Sequence, residues 1–464
     1  MPRDQDRRPT VAIIGTGISG MSAAWLLAPH FDVTVYEAAS RIGGHSNTVS
    51  VSLDDGKIAV DTGFIVYNEN TYPNLKALFD HLGVETCETN MSFAASLRHG
   101  TMEYSGESLA GFIAQKSNLL RPRFWSMLYD LQRFYRMAPS AVLHGKNAPE
   151  KTTATSRMTL GSFLSHHKFG PAFIEDHLLP LSAAIWSATP GDMLDYPVEA
   201  FVRFHENHGL LNFINRPVWR TVAGGSQAYV KKLTARYANS IVTNAQLKTL
   251  CRTENGVDVI DISGKKARFD HIIIATHADQ ALALLENPTI QEQQLLSAFR
   301  YSRNDAWLHS DPTLMPKRKA AWASWNFLGG HDPNKRLVVT YWMNKLQELQ
   351  TRNNVFVTLN PETEPRADLC HKVESYQHPV MDFSALNAQK KLWQLQGADK
   401  IWYSGAYFGA GFHEDGLQAG LAAAEHLASN AGYTGIRRPW NVPDESGRIA
   451  IAATEQRLPE GEPV

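Results

Sequence analysis

VAIIGTGISGMSAAWLL, residues 11–27, decides how the chain is read. Val11–Ile14 are apolar and mostly β-branched, as a strand buried on both faces requires. Gly15, Gly17 and Gly20 then follow the spacing G-x-G-x-x-G. The first glycine allows a tight turn and the second lets the backbone approach a pyrophosphate. The third lets the next helix lie close to the strand. A helix is expected from about Ser19 to Ala28, closed by Pro29. Its free N–H groups and positive dipole end suit a diphosphate. Asp32–Tyr36 reads as the second strand. It ends at Glu37, near the ~20-residue spacing at which an acid meets ribose hydroxyls. A carboxylate there repels a 2′-phosphate and disfavours NADP. The turn alone leaves three readings open: a nicotinamide dinucleotide, a flavin dinucleotide, or a structural unit without ligand.

Length and composition set the frame. The chain has 464 residues, beyond the ~250–300 at which single cores usually split, so two domains are expected. A net charge of −1 gives no argument for a nucleic-acid partner. Cys87, Cys251 and Cys370 are dispersed and have no metal-ligand spacing. No metal is expected, and a reduced, cytoplasmic setting is the default. No apolar run approaches the ~20 residues of a spanning helix. Residues 1–9, ending in RRP, read as a disordered leader, not a signal peptide, because cleavage after the apolar stretch would remove the glycine turn.

Three further segments narrow the cofactor. RIGGHSNT (41–48) follows the second strand, and DTGFIVYN (61–68) comes next. IWYSGAYFGAGFHEDGLQAG (401–420) has a strand-like start, a glycine-rich turn and an Ala-rich helix from about Asp415 to Ser429. A simple NAD dehydrogenase needs none of these. With FIAQKSNLLRPRFW (112–125) and SAAIWSATP (182–190), the chain resembles the FAD-dependent amine oxidase, phytoene desaturase and protoporphyrinogen oxidase superfamily. More narrowly, it is similar to the flavin oxidase domain of plant cyclopropane fatty acid synthases and its bacterial stand-alone relatives. The resemblance covers roughly residues 10–430.

That resemblance implies an α/β fold: a Rossmann-like FAD-binding domain of the glutathione-reductase type, with a central parallel sheet and an inserted mixed α+β substrate domain. The FAD-binding domain is expected from 10–70, 206–285 and 396–430, the substrate domain from 71–205 and 286–395, and a tail from 431–464. By position, Gly15, Gly17, Ile18, Ser19 and Gly20 would hold the FAD pyrophosphate and Glu37 the adenosine ribose. Gly43, Gly44 and His45 would line the phosphates, His45 standing where relatives often carry arginine. Gly63 and Phe64 would lie along the flavin, Leu247 at the adenine and Gly405 at the ribityl phosphate. Gly416 and Leu417 would bring the last helix to the flavin N1–O2 edge, where it stabilises negative charge.

The reaction is less constrained. His413, Glu414 and Tyr407 are the candidate proton-transfer groups, although Glu414 and Asp415 read more readily as solvent-facing helix caps. The absence of a second G-x-G-x-x-G argues against a built-in NAD(P)H site. No cysteine lies near 401–420 to form a thioether link. The resemblance implies an FAD-dependent oxidoreductase taking hydride from an acyl chain of a membrane lipid, one bearing a methyl or cyclopropane modification included. An amine oxidase, a carotenoid or porphyrinogen desaturase, and a non-catalytic flavoprotein partner of a lipid methyltransferase are the rivals. Residues 121–138 carry Phe124, Met127, Leu128, Leu131, Phe134 and Tyr135 at helical spacing, beside four arginines. This helix reads either as core packing or as a peripheral contact with the inner face of the membrane.

Overall fold

A five-stranded parallel sheet carries the nucleotide turn. Its spatial order is Ile241–Val242, Asp32–Tyr36, Thr10–Ile14, His271–Ile274 and Ile401–Tyr403. This is seen in the computed structural model, which describes residues 7–147, 158–186, 189–211, 217–329 and 338–442. The first strand lies in the middle, with Ala12 beside Thr34 on one side and Ile272 on the other. Both its faces are covered, which is why Val11–Ile14 are apolar without alternation. The strands come from three separated stretches of chain, and their C-terminal ends meet at one edge. The first helix, Ile18–Leu27, starts one residue earlier than expected. The last, His413–Asn430, starts two residues before Asp415.

These two helices lie against each other at unusually short range. A Cβ on Gly420 would stand 2.1 Å from the Ser19 carbonyl oxygen, and one on Gly20 would stand 2.0 Å from the Gly15 carbonyl oxygen. Gly15 itself has φ +104°, a conformation L side chains rarely adopt. Glycine at these positions therefore sets the distance between the turn, the first helix and the last.

The second sheet has seven strands. Their order is Cys370–Val380, Arg300–His309, Phe356–Leu359, Val338–Trp342, Trp325–Gly329, Phe93–Leu97 and Met102–Ser105. Neighbours run antiparallel except Trp325–Gly329 with Phe93–Leu97, which is parallel. The chain thus combines a parallel sheet with a mixed one. The helix Pro73–Leu82, which falls in the stretch assigned to the substrate unit, packs instead with the nucleotide layer through Leu75, Leu78 and Phe79.

The helix read from 121–138 spans Pro122–Asn147. Its apolar stripe is used in packing: Phe124 and Met127 join the core of the mixed sheet, and Leu131 and Phe134 join the neighbouring helical core. Arg123 bonds Asp176 at 2.7 Å and Glu175 at 2.6 Å, and Arg133 sits over the Phe169 ring. The apolar stripe Phe124–Tyr135 is therefore used in core packing. Beyond the last helix, Trp440 stacks on Trp25 and Arg438 bonds Glu425, so this part of the tail lies on the surface. Residues 1–6 of the leader and the tail from 443 lie outside the described residues.

One buried acid joins the hairpin strands Thr48–Leu53 and Gly56–Asp61 to the start of helix Gln227–Thr234 and the end of helix Met343–Leu346. Asp61, fully shielded, accepts from the Ser226 backbone (2.9 Å) and hydroxyl (2.7 Å), from Thr48 (2.5 Å) and from the Gln347 amide (3.0 Å). Its own N–H donates to the Gln347 carbonyl oxygen at 3.0 Å. Burial pushes its pKa up to about 6 against the opposing pull of these donors.

Gly420→Ala is expected to cost about 1–3 kcal/mol or more, because the helix backbones must separate. Gly435→Ala, which meets nothing within 4 Å, is expected to be neutral. Chemical denaturation of both variants checks this; equal stability would show that the close approach is not a constraint.

Candidate functional site

At the edge where the parallel strands end, a cavity of about 910 Å³ runs between the two sheets. That volume lies within the ~300–1,000 Å³ range of ligand pockets. Gly15, Gly17, Ile18, Ser19, Glu37, Gly44, His45, Gly63, Phe64, Leu247, Gly405 and Gly416 all line it. Gly20, Gly43 and Leu417 do not: Gly20 packs on Gly15, Gly43 supports the turn beneath Gly44, and Leu417 is core.

The nucleotide end is built from main chain. The first helix has no side-chain cap and no acid in its first turn, so its leading N–H groups are left for a ligand. A Cβ on Gly17 would meet nothing within 4 Å, while one on Gly44 would stand 3.0 Å from the Gly17 Cα. The glycines of 43–44 thus press against the turn and leave the space over Gly17 open. The Ser19 hydroxyl is buried without a partner. A buried orphan hydroxyl beside uncapped helix N–H groups fits a diphosphate. Glu37 lines the same end; its carboxylate accepts from the backbone of Thr16 (3.0 Å) and Ala39 (2.9 Å).

The loop 405–412 closes the other side. Gln389 holds it by donating to the Tyr407 carbonyl at 2.9 Å and to that of Gly409 at 2.6 Å. Asp415 accepts from the Phe412 N–H at 2.8 Å and so caps its own helix, but it is buried, not solvent-facing. Glu414 departs further from expectation. It is 2% exposed and does not line the cavity. Its carboxylate accepts from the backbones of Asn74 and Leu75, both at 2.9 Å, and from Gln418 at 2.8 Å. It therefore caps the helix Pro73–Leu82 and is withdrawn as a proton-transfer candidate.

His413 and Tyr407 do line the cavity. The His413 ring stacks on Phe64 at 3.9 Å, and its Nε2 meets the Tyr229 hydroxyl at 2.7 Å; that hydroxyl also bonds Ser46. Burial pushes the His413 pKa down to about 3, so the imidazole is neutral. Tyr407 packs on Phe299 and Phe408, and burial raises its pKa well above the usual phenol value. It stays a phenol.

Further histidines complete the interior. His45, His177, His208, His277 and His378 all line the cavity with His413. The His45 ring lies 5.0 Å from Tyr376 and 5.4 Å from His378, and its Nε2 is shut off from water without a partner. His378 Nδ1 meets Asn304 at 3.0 Å, and burial pushes its pKa down to about 4. Away from the nucleotide end the walls are Met91, Phe93, Leu181, Trp186, Trp325 and Leu359, among others. Trp186, Trp219 and Trp325 line the cavity, while Trp322 and Trp342 pack on each other. Among the described residues that line the cavity, Glu37 is the one carboxylate.

Comparison with known proteins follows this geometry. A model of the family "Flavin containing amine oxidoreductase" matches residues 18–428. Flavin-containing amine oxidase A of Canis lupus familiaris is 43% identical over 83 residues, and that of Bos taurus 42% over 83 residues. Each match spans 18% of this chain and 15% of the relative's length. Among solved structures, cyclohexylamine oxidase from Brevibacterium oxydans superposes with TM-score 0.68 at 17% identity, over 92% of this chain and 100% of that one. A putrescine oxidase variant gives 0.65 at 15% identity, over 91% and 99%. The conjugated-linoleic-acid-producing fatty acid isomerase of P. acnes gives 0.61 at 15%, over 92% and 99%.

The neutral histidines fix a pH dependence. The His413 pKa falls from 6.5 to about 3 on folding, so the unfolded chain takes up the proton first. Its contribution is complete above pH ~6.5 and is lost as pH falls toward 3. Asp61 titrates in the opposite sense, so the comparison must be between variants. His413→Gln is expected to flatten the acid loss of stability by up to about 1.4 kcal/mol per pH unit. Urea unfolding of cofactor-free protein at pH 4.5 and 7 measures it; an unchanged slope would contradict burial of the neutral ring.

Proposed function

This chain belongs to the flavin containing amine oxidoreductase family and is an FAD-dependent oxidoreductase, and from that premise we propose that it oxidises an apolar substrate, an acyl chain of a membrane lipid. The observation that carries this reading is the composition of the cavity wall. Beyond the nucleotide end it is mainly aliphatic and aromatic, interspersed with histidines, and the one carboxylate among the described lining residues, Glu37, is at the nucleotide end. A chain of methylene groups satisfies such a wall without asking for a counter-ion. Trp186 and Trp325 have buried indole N–H groups without partners, donors of the kind an ester carbonyl accepts from.

Bound FAD supplies a two-electron acceptor for hydride from carbon. The uncapped N–H groups of Ile18–Gly20 and the Ser19 hydroxyl would hold its diphosphate, and Glu37 would meet its ribose. Gly63, Phe64, Gly405 and Gly416 border the space for the ring. The last helix directs its positive end to the same space. The proton lost beside the hydride goes to an imidazole, because Tyr407 is held as a phenol and Glu414 is used elsewhere. His45 has a buried Nε2 without a partner, and His413 Nε2 is hydrogen-bonded to the Tyr229 hydroxyl, which also bonds Ser46.

A second reading has one observation in its favour. Phe204 and Phe412 stack at 4.9 Å beside His208, an aromatic wall that suits an amine. Cyclohexylamine oxidase and putrescine oxidase share the fold.

Anaerobic titration separates the two. Detergent-dispersed phospholipids with methyl- or cyclopropane-bearing chains are expected to bleach the bound flavin, whereas cyclohexylamine and putrescine leave it yellow. Bleaching by the amines alone would overturn the acyl assignment. Leu181→Trp, which fills the apolar end, is expected to slow the lipid-driven bleaching at least tenfold.

A further inference from the structure

The apolar stripe of the helix Pro122–Asn147 is buried, but the chain just before it exposes a different set of large side chains. Leu109 is 77% exposed, Leu120 86%, Trp125 53% and Tyr129 67%. Leu119 is also exposed. They belong to three consecutive elements that touch: the short helix Leu109–Phe112, the 3-10 turn Lys116–Leu120 and the first turns of the long helix. The Trp125 indole N–H donates to the Leu119 carbonyl at 2.9 Å, and Phe112 packs on Phe124 at 5.2 Å. Trp125 and Tyr129 are four residues apart and so share one helix face. Other exposed apolar side chains, such as Ile262, Ile290 and Val373, come from separate elements.

The rim of this patch is cationic. Lys116 is exposed within it. Arg121 donates to the Thr101 carbonyl at 2.5 Å, and Lys317 lies against Gly100 in the same turn. Lys319 is exposed on the turn that contacts the helix Leu109–Phe112. The nearby acids are engaged: Glu103 with Arg318 at 2.9 Å, Glu107 with Lys345, and Glu175 and Asp176 with Arg123. Among the described residues no acid pairs with Lys116 or Lys317.

We propose that the face formed by Leu109, Leu119, Leu120, Trp125 and Tyr129 docks on an anionic phospholipid bilayer, with Lys116, Arg121, Lys317 and Lys319 against the headgroups. Exposed leucines beside an interfacial Trp and Tyr bury in the headgroup–acyl boundary, and lysines at the rim add attraction to negative lipid. A second copy of the chain is a poorer occupant, because a two-fold contact would set the cationic rims against each other. The position of the patch supports the assignment. Tyr104 and Gly106, which line the cavity, precede Leu109 by a few residues on the same turn of chain. A bilayer held there lies next to the apolar end of the site. The inference rests on the acyl-substrate reading for its purpose but not for its test.

The test is flotation of the FAD-loaded protein with vesicles of phosphatidylcholine, with and without 30% phosphatidylglycerol. Flotation is expected with the anionic vesicles and at least tenfold less without them. Leu120→Asp with Trp125→Asp is expected to lose flotation at least tenfold. Lys116→Glu with Lys317→Glu is expected to lose the preference for phosphatidylglycerol. All these side chains are exposed, and an unchanged flavin spectrum reports an intact fold. Equal flotation of the Asp variant and the parent would overturn the proposal. So would a dimer in sedimentation that the Asp variant dissociates, since the face would then be an interface between copies. Dispersed lipid that bleaches the flavin in a protein that fails to float would overturn docking and leave the substrate assignment standing.

Discussion

The approach of the first and last helices to within glycine contact is the constraint from which the site follows. Ser19 and Gly420 lie so close that no Cβ fits between them, and Gly416 stands against Ile18. This seam brings two helix N-termini, separated by almost the whole chain, to one space at the edge of the parallel sheet. Neither helix is closed there by a side chain from outside its own turn. The dipoles therefore add at a point where the cavity begins, and a ligand bearing negative charge at both a diphosphate and a ring edge complements them. Asp61 does comparable work on the other side. By bonding Ser226, Thr48 and Gln347 it ties the segment after the glycine pair 43–44 to two helix ends, one of them on the chain that leaves the strand Val338–Trp342.

The interior chosen by this frame is poor in charge. His413 and His378 sit well below their ordinary pKa because burial disfavours the cation, and Tyr407 sits above for the same reason. Glu414 satisfies itself on helix N–H groups away from the cavity. Such a site stabilises a transient proton poorly in isolation but accepts one readily when a negative ligand is at hand, since attraction then replaces the lost hydration. Neutral imidazoles next to a diphosphate or a reduced ring are thus poised by the ligand, not by the empty protein.

What was legible in the sequence was local. The glycine spacing at 15–20 and the second strand ending at Glu37 depend on neighbours within one turn of chain, and each stands where the pattern put it. Glu414 was misread for the opposite reason. Its partners, Asn74 and Leu75, lie far away in sequence, and an acid at a helix start looks the same whether it caps its own helix or another. The stripe at 124–135 showed amphipathicity, but periodicity cannot say whether the apolar face meets protein or lipid; packing against Tyr104 and Phe173 decided it. His378 and His277 were invisible, because each is a single histidine, the first brought to the cavity by strand pairing and the second standing at the start of the helix Ala278–Leu284.

The same contrast explains why the cofactor is easier to assign than the substrate. A diphosphate is bound by main chain, and main chain needs glycines at fixed intervals. A substrate is bound by side chains gathered from residues 72 to 413, and no interval records them. Energetics then takes over from pattern. An ammonium group placed in the apolar end would lose its hydration, a cost of several kcal/mol, and the one carboxylate among the described lining residues, Glu37, stands at the nucleotide end. Aromatic faces return about 2 kcal/mol of this when desolvated. An amine entering neutral instead gives up about 1.4 kcal/mol for every pH unit below its pKa. An acyl chain meets neither cost, and each buried methylene contributes about 0.8 kcal/mol. The balance of these terms, not any motif, is what supports the proposed acyl substrate.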